Sequence, residues 1–215
     1  VKSRAVEQGA SVLISMVEKP AQCQAALQEL LAQRVEALLV NVPLEDAQAE
    51  MLQEMASPTP VLFLDVSPTA RVNSLVFNAE QGAGLGAEHL LSLGHRRIAL
   101  LAGPESSVSA RARLAGWKTT LAQAGVEAFA VAQGDWSAAS GYEKGHQLLA
   151  GAQLPEAILV ANDQMALGVL RACAEKGVAV PGQISVVGFD DTADSAWFSP
   201  PLTTVRQAFR EAGER

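Results

Sequence analysis

The chain has 215 residues, 49% hydrophobic and 18% charged, enough for one large domain or two small ones with a sizeable core. Lys and Arg number 16 against 23 Asp and Glu, and the net charge of -7 excludes this segment by itself as a grip on a phosphate backbone. No apolar run has the length of a bilayer-crossing helix and Val1–Arg4 lead into no secretory hydrophobic stretch, so no membrane partner is expected.

Strand and helix signals alternate along the chain. Val1–Gln8 reads as the tail of a helix, as in a segment of a longer protein, and is followed by a strand at Ser11–Val17. A helix over Pro20–Gln33 has its proline in the first turn, where a missing N–H costs nothing. Then come a strand at Ala37–Val42, a helix at Glu45–Met55, and strands at Val61–Val66 and Val72–Phe77. Ala79–Leu93 is a helix closed by Gly94, after which the alternation restarts: strand Arg97–Ala102, helix Ser107–Ala124 stopped by Gly125, and strand Ala128–Gln133. It continues with helix Ser137–Ala150, strand Ala157–Ala161, helix Asp163–Lys176 and strand Ile184–Phe189, while Gln207–Arg215 reads as a helix beginning.

Continuously apolar strands such as ALLV, VLFL, IALL and ILVA belong to parallel sheets covered on both faces. The prediction is an α/β protein of two lobes, each a parallel sheet flanked by helices. Residues 1–77 form the amino-terminal lobe, 78–206 the carboxy-terminal lobe, and 207–215 cross back. A cleft is expected between the lobes. Apolar helix faces at Leu27, Leu30 and Leu31, and at Met165, Leu167 and Leu170, are candidates for self-association; the alternative is that they cover their own sheets.

The stretch from Ala157 to Asp191 places Asn162, Asp163, Asp190 and Asp191 at the carboxyl edge of a sheet, where strand-to-helix loops converge and ligands bind. Other chemistries fit less well. Gly82–Ala87 satisfies G-x-G-x-x-G/A, but four residues separate it from the preceding strand and the one acid about 20 residues on, Glu105, follows another strand, so no dinucleotide cofactor is expected. In Phe189-Asp190-Asp191-Thr192 the two carboxylates are adjacent and diverge, unlike a phosphotransferase pair. His89, His95 and His146 lack metal-ligand spacing, Ser106, Ser107 and Ser109 lack a nucleophile elbow, and Cys23 and Cys173 read as small buried residues. Neither a metal nor an enzymatic activity is expected.

Long strings carry a resemblance: LLAQRVEALLVNVPL at 30–44, LFLDVS at 62–67, LGHRRIALLAGPESSVSARARLAGW at 93–117, GDWSAASG at 134–141, LVANDQMALG at 159–168 and ISVVGFDDT at 184–192. In these the chain closely resembles the LacI/GalR family of transcriptional repressors over nearly its whole length. It departs from the family at a shorter loop, Glu18–Ala21, and at Val42, Trp197 and Phe198. The resemblance implies a type I periplasmic-binding-protein-like core that takes a galactoside inducer and forms a homodimer or tetramer. It further implies a cytoplasmic protein that meets operator DNA through a helix-turn-helix headpiece outside this chain.

A pyranose presents vicinal hydroxyls and an apolar C–H face, so its site needs planar bidentate groups and an aromatic platform. Arg113 offers a fork of donors, and Asn162 and Asp190 stand just past strands; the resemblance makes these three the leading site residues. Asp65 and Asn41 take the same place in the amino-terminal lobe. Trp136 is the expected stacking platform, Phe77 and Phe209 apolar walls, and Ser109 and Gln207 further polar contacts. Each also has an ordinary role: Asn-Asp after a strand caps a helix, helical arginines are commonly solvated, and tryptophans pack. A transport-type periplasmic sugar-binding protein shares the fold and is the alternative; a sugar-modifying enzyme needs a paired acid and base.

Overall fold

The computed structural model describes residues 7, 9–17 and 19–208. The chain divides into two compact units, one of Val1–Phe77, Ser106–Val108 and Ala208–Arg215, the other of Asn78–Glu105 and Ser109–Gln207.

In the first unit a single 3-10 turn at Pro20–Gln22 runs into α1 (Cys23–Ala32), followed by β1 (Leu38–Val40), α2 (Asp46–Ala56) and β2 (Val61–Phe63). β1 and β2 pair in parallel with Leu38 opposite Val61 and Val40 opposite Phe63. Leu27, Leu38, Leu52, Val61, Phe63 and Val66 make the core. Two expected strands are absent. Ser11–Val17 joins no ladder among the described residues, and Leu13, Ile14 and Met16 lie exposed, since β-branched composition produces a strand only where a neighbour supplies hydrogen bonds. Val72–Phe77 reduces to one bridge, where Phe63 N–H donates to Asn73 O and Leu75 N–H to Phe63 O, both at 2.9 Å.

The second unit contains α3 (Ala79–Ser92), β3 (Ile98–Ala102), α4 (Val108–Gln123), β4 (Ala130–Gln133), α5 (Ala138–Leu148), β5 (Ala157–Val160), α6 (Asp163–Glu175), β6 (Ser185–Asp190) and β7 (Thr203–Arg206). Its five strands form one parallel sheet in the order β4-β3-β5-β6-β7. β3 and β5 are buried along their whole length, as expected of central strands covered on both faces. β7 went unpredicted because the polar Thr203-Thr204 follows two prolines; its β-branched Thr-Thr-Val run was the available signal.

Glycine sets how closely the helices approach. Gly94 and Gly125 take φ of +88° and +66° and end α3 and α4. A Cβ at Gly141 would run into the Met165 carbonyl, and one at Gly168 into the Ala138 carbonyl, so α5 and α6 touch backbone to backbone. Gly82, Gly84 and Gly86 lie inside α3 against Phe189, Thr120 and Leu159, which makes them packing glycines in a helix rather than a phosphate loop. Of the residues considered for self-association, Leu27, Met165 and Leu170 are buried in their own units, Leu30 and Leu31 are partly buried against the core, and Leu167 is exposed. Cys23 and Cys173 are free and buried, and burial pushes the Cys173 thiol up to about 11.

Candidate functional site

Arg113 sits on α4, one turn after Ser109, and is only 6% exposed. A guanidinium does not lose its charge in a protein, so burial requires compensating partners. It has them: it donates to the Ala161 carbonyl at the end of β5 and pairs with Asp190 Oδ1 at 3.3 Å. Its central carbon lies 4.0 Å from the Phe189 ring centroid and 5.3 Å from that of Trp136, within cation–π range of both.

Asp190 ends β6 in a backbone conformation with φ of +115°, followed by Asp191 at +55°. Such conformations cost about 1–3 kcal/mol for a residue with a side chain and persist only where surroundings impose them. Burial pushes the Asp190 carboxyl up to about 6; Arg113 opposes the shift and neighbouring Asp163 adds to it. Gln207 Nε2 donates to the same Oδ1 at 2.8 Å, bringing the residue after β7 into the cluster.

Trp136 follows β4 and also has a positive φ, +78°. Three contacts impose it. Asp135 Oδ1 accepts from the Ser137 amide and hydroxyl at 2.9 and 2.6 Å, hydrogen bonds that hold the Asp135 carboxyl down at about 2. Asn162 Nδ2 donates to the Trp136 carbonyl at 3.0 Å, and the ring lies against Gly103, where a Cβ would stand 2.5 Å from it. The other end of the Asn162 amide caps α6, accepting from Met165 N–H at 2.8 Å, so the ordinary capping role and the site role fall on one residue.

Arg113, Trp136, Asn162, Asp190 and Gln207 thus converge at the carboxyl edge of one sheet, contributed by α4, by the last residue of β6 and by the segments following β4, β5 and β7. The combination of bidentate donors, carboxylate and amide acceptors and an indole face suits a polyhydroxylated ring with one apolar side. A separate cavity of about 450 Å³ opens between α4 and the β3–β4 edge, lined among others by Glu105, Arg111, Leu114, Lys118 and Val131 but by none of the five.

Residues 87–215 of the chain match the family model of the periplasmic binding protein-like domain. The whole chain is 52% identical to the lactose operon repressor of Escherichia coli (strain K12), of which it spans 60% of the length. It covers 79% of a dimeric lac repressor with an 11-residue C-terminal deletion at 52% identity and a TM-score of 0.92. The chain belongs to the LacI family. A further solved structure, the lac repressor dimer bound to operator and the anti-inducer ONPF, matches at 51% identity with a TM-score of 0.88 over 99% of this chain and 75% of that one.

Ser109 is half-buried in the first turn of α4. Asn41 is exposed directly after β1, Asp65 half-buried two residues after β2, and Phe77 half-buried at the last position of the first unit's leading segment. Phe209 lies outside the described residues. Sequence reasoning missed Phe189, which reads as one more apolar strand residue yet carries the Arg113 guanidinium. It also named Asp163 only by its place at the sheet edge. Two elements meeting side by side explain both omissions, because no spacing within one element encodes them.

Proposed function

We propose that this chain is the inducer-binding and dimerisation core of a cytoplasmic transcriptional repressor of a lactose-type operon. A galactoside is its effector, and operator DNA is met through a helix-turn-helix headpiece outside these 215 residues. The observation that carries the reading is the convergence of Arg113, Asn162, Asp190 and Trp136, within a chain half identical to a lactose operon repressor. Arg113 and Asp190 bind vicinal hydroxyls, Asn162 a third, and Trp136 covers the apolar face. Ser109 and Gln207 add polar contacts. Asn41, Asp65, Phe77 and Phe209 complete the proposed set of galactoside-contacting residues.

The reading is a binding function, not an enzymatic one. The clustered carboxylates have structural partners: Asp190 engages Arg113 and Gln207, and Asp135 the serines of its own turn. The pair of opposed acid and base groups that glycosidic cleavage needs is not built from them. Regulation then follows from linkage: a sugar that binds two states unequally shifts operator affinity by the same factor by which operator shifts sugar affinity. No helix of the described residues is long and apolar enough to cross a membrane. A transport-type binding protein is not favoured, because the similarity lies with repressors.

Titration with isopropyl thiogalactoside, followed by indole fluorescence, tests the reading. Saturable quenching that disappears in Trp136→Phe, together with recovery of a hydrolysable galactoside unchanged after incubation, is the expected result. Release of the aglycone, or no response to any galactoside, would overturn it.

A further inference from the structure

We propose that Asp163 is the positioning residue of the sugar site, its buried carboxylate holding the Asp190–Asp191 turn in the left-handed conformation from which Asp190 meets Arg113 and Gln207. The inference rests on the galactoside-binding reading above and extends it to a residue that lies behind the site.

Asp163 is fully buried in the first turn of α6, where a capping role would leave its side chain in solvent. Its carboxylate instead points across to the end of β6 and accepts three hydrogen bonds. Oδ2 takes the Thr192 amide at 2.8 Å and the Thr192 hydroxyl at 3.3 Å, and Oδ1 takes the Thr204 hydroxyl of β7 at 2.5 Å. Thr204 Oγ1 in turn accepts from the Asp191 amide at 3.3 Å. One carboxylate therefore pins the chain on the far side of Asp190 and Asp191, through Thr192 directly and through Thr204 at Asp191. Gly188 completes the arrangement, since a Cβ there would overlap Asp163 Oδ1.

A turn with two consecutive non-glycine residues at positive φ does not hold itself. The alternative extended conformation at Asp190 would swing its carboxylate away from Arg113 and leave a buried guanidinium without its counter-ion. Buried hydrogen bonds to a charged acceptor are strong enough to decide between them. Asp163 touches neither Arg113 nor Gln207 in any of these bonds, so it acts on the site through the turn and through its charge.

Its charge provides a separate signature. The groups facing Asp190 are Arg113 from α4, Asp163 from α6 and the neutral Gln207 after β7, while Asp191 is engaged by Arg206 of β7. Burial is the larger cause of the raised Asp190 carboxyl, and replacing Asp163 by a neutral residue removes the anion that adds to it.

The test uses the full chain carrying carbon-13 aspartate, in wild type, Asp163→Asn and Thr204→Val, each first shown to be folded by circular dichroism. In Asp163→Asn the Asp190 carboxyl should titrate at lower pH than its wild-type position near 6. In both variants the Cα and Cβ shifts of Asp190 and Asp191 should lose their positive-φ pattern, and thiogalactoside affinity should fall about 10- to 100-fold, the scale known for residues that orient metal ligands from behind. Unchanged titration and unchanged Asp190–Asp191 shifts in folded Asp163→Asn would overturn the inference. Wild-type protein that binds no galactoside but shows the expected NMR changes would overturn the sugar reading alone, and leave Asp163 as the residue that sets Asp190.

Discussion

At the scale of single residues, the protonation of Asp190 links folding stability to the proposed sugar binding. Its carboxyl stands near 6 instead of 3.8, a difference equivalent to about 3 kcal/mol between protonation states. Because the folded value is the higher, this contribution is present at low pH and is lost as pH rises through about 6. Urea denaturation should accordingly show wild type gaining stability relative to Asp190→Asn between pH 8 and pH 5. Galactoside affinity should move the other way and weaken as Asp190 protonates, since the neutral acid pairs poorly with Arg113. A stability difference independent of pH would contradict the burial that causes the shift. Part of this candidate cluster was legible in the sequence: Asn162 and Asp190 were marked by side-chain chemistry at the predicted ends of strands, Arg113 by its fork of donors, and all three by the resemblance. What the sequence did not disclose was how the residues hold one another. Asn162 supporting the Trp136 turn, Phe189 beneath Arg113 and Asp163 behind Asp190 are contacts between segments far apart in the chain.

At the scale of elements, the alternation of apolar runs with amphipathic stretches was sufficient to place β3, β5, β6 and their helices, because central strands covered on both faces leave continuous apolar runs. Edge elements were harder. β7 is the partly exposed run Thr203-Thr204-Val205-Arg206, and Ser11–Val17 has strand-like composition but joins no ladder among the described residues. The α5–α6 contact makes a sharp prediction. In an open helix Gly→Ala stabilises by about 0.5–1 kcal/mol, but at Gly141 and Gly168 the added methyl meets a carbonyl of the opposite helix. Gly141→Ala should lower unfolding free energy by about 1–3 kcal/mol, as overpacked sites do, and shift the urea midpoint. An unchanged or raised midpoint would show that the helices can separate at no cost. The same contact brings Tyr142 OH within 2.6 Å of Glu175, whose carboxyl is held at about 2 by that hydrogen bond and by Arg171. Tyr142→Phe should let Glu175 titrate at higher pH by NMR; an unmoved titration would remove the phenol from the account.

At the scale of the whole molecule, the charge of -7 fits the proposed division of work, in which this chain binds the effector and a separate headpiece binds the operator. A chain with this excess of acid should show no retention of operator DNA in a gel-shift experiment, and retention by these 215 residues alone would contradict the proposed division. The contribution proposed for this chain is the sugar site, so the most direct test is a calorimetric titration of isopropyl thiogalactoside into the protein and into Arg113→Ala. The account predicts saturable heat with the first and none with the second, in a variant that melts cooperatively. Equal binding by both would contradict the assignment of Arg113 as the centre of the site.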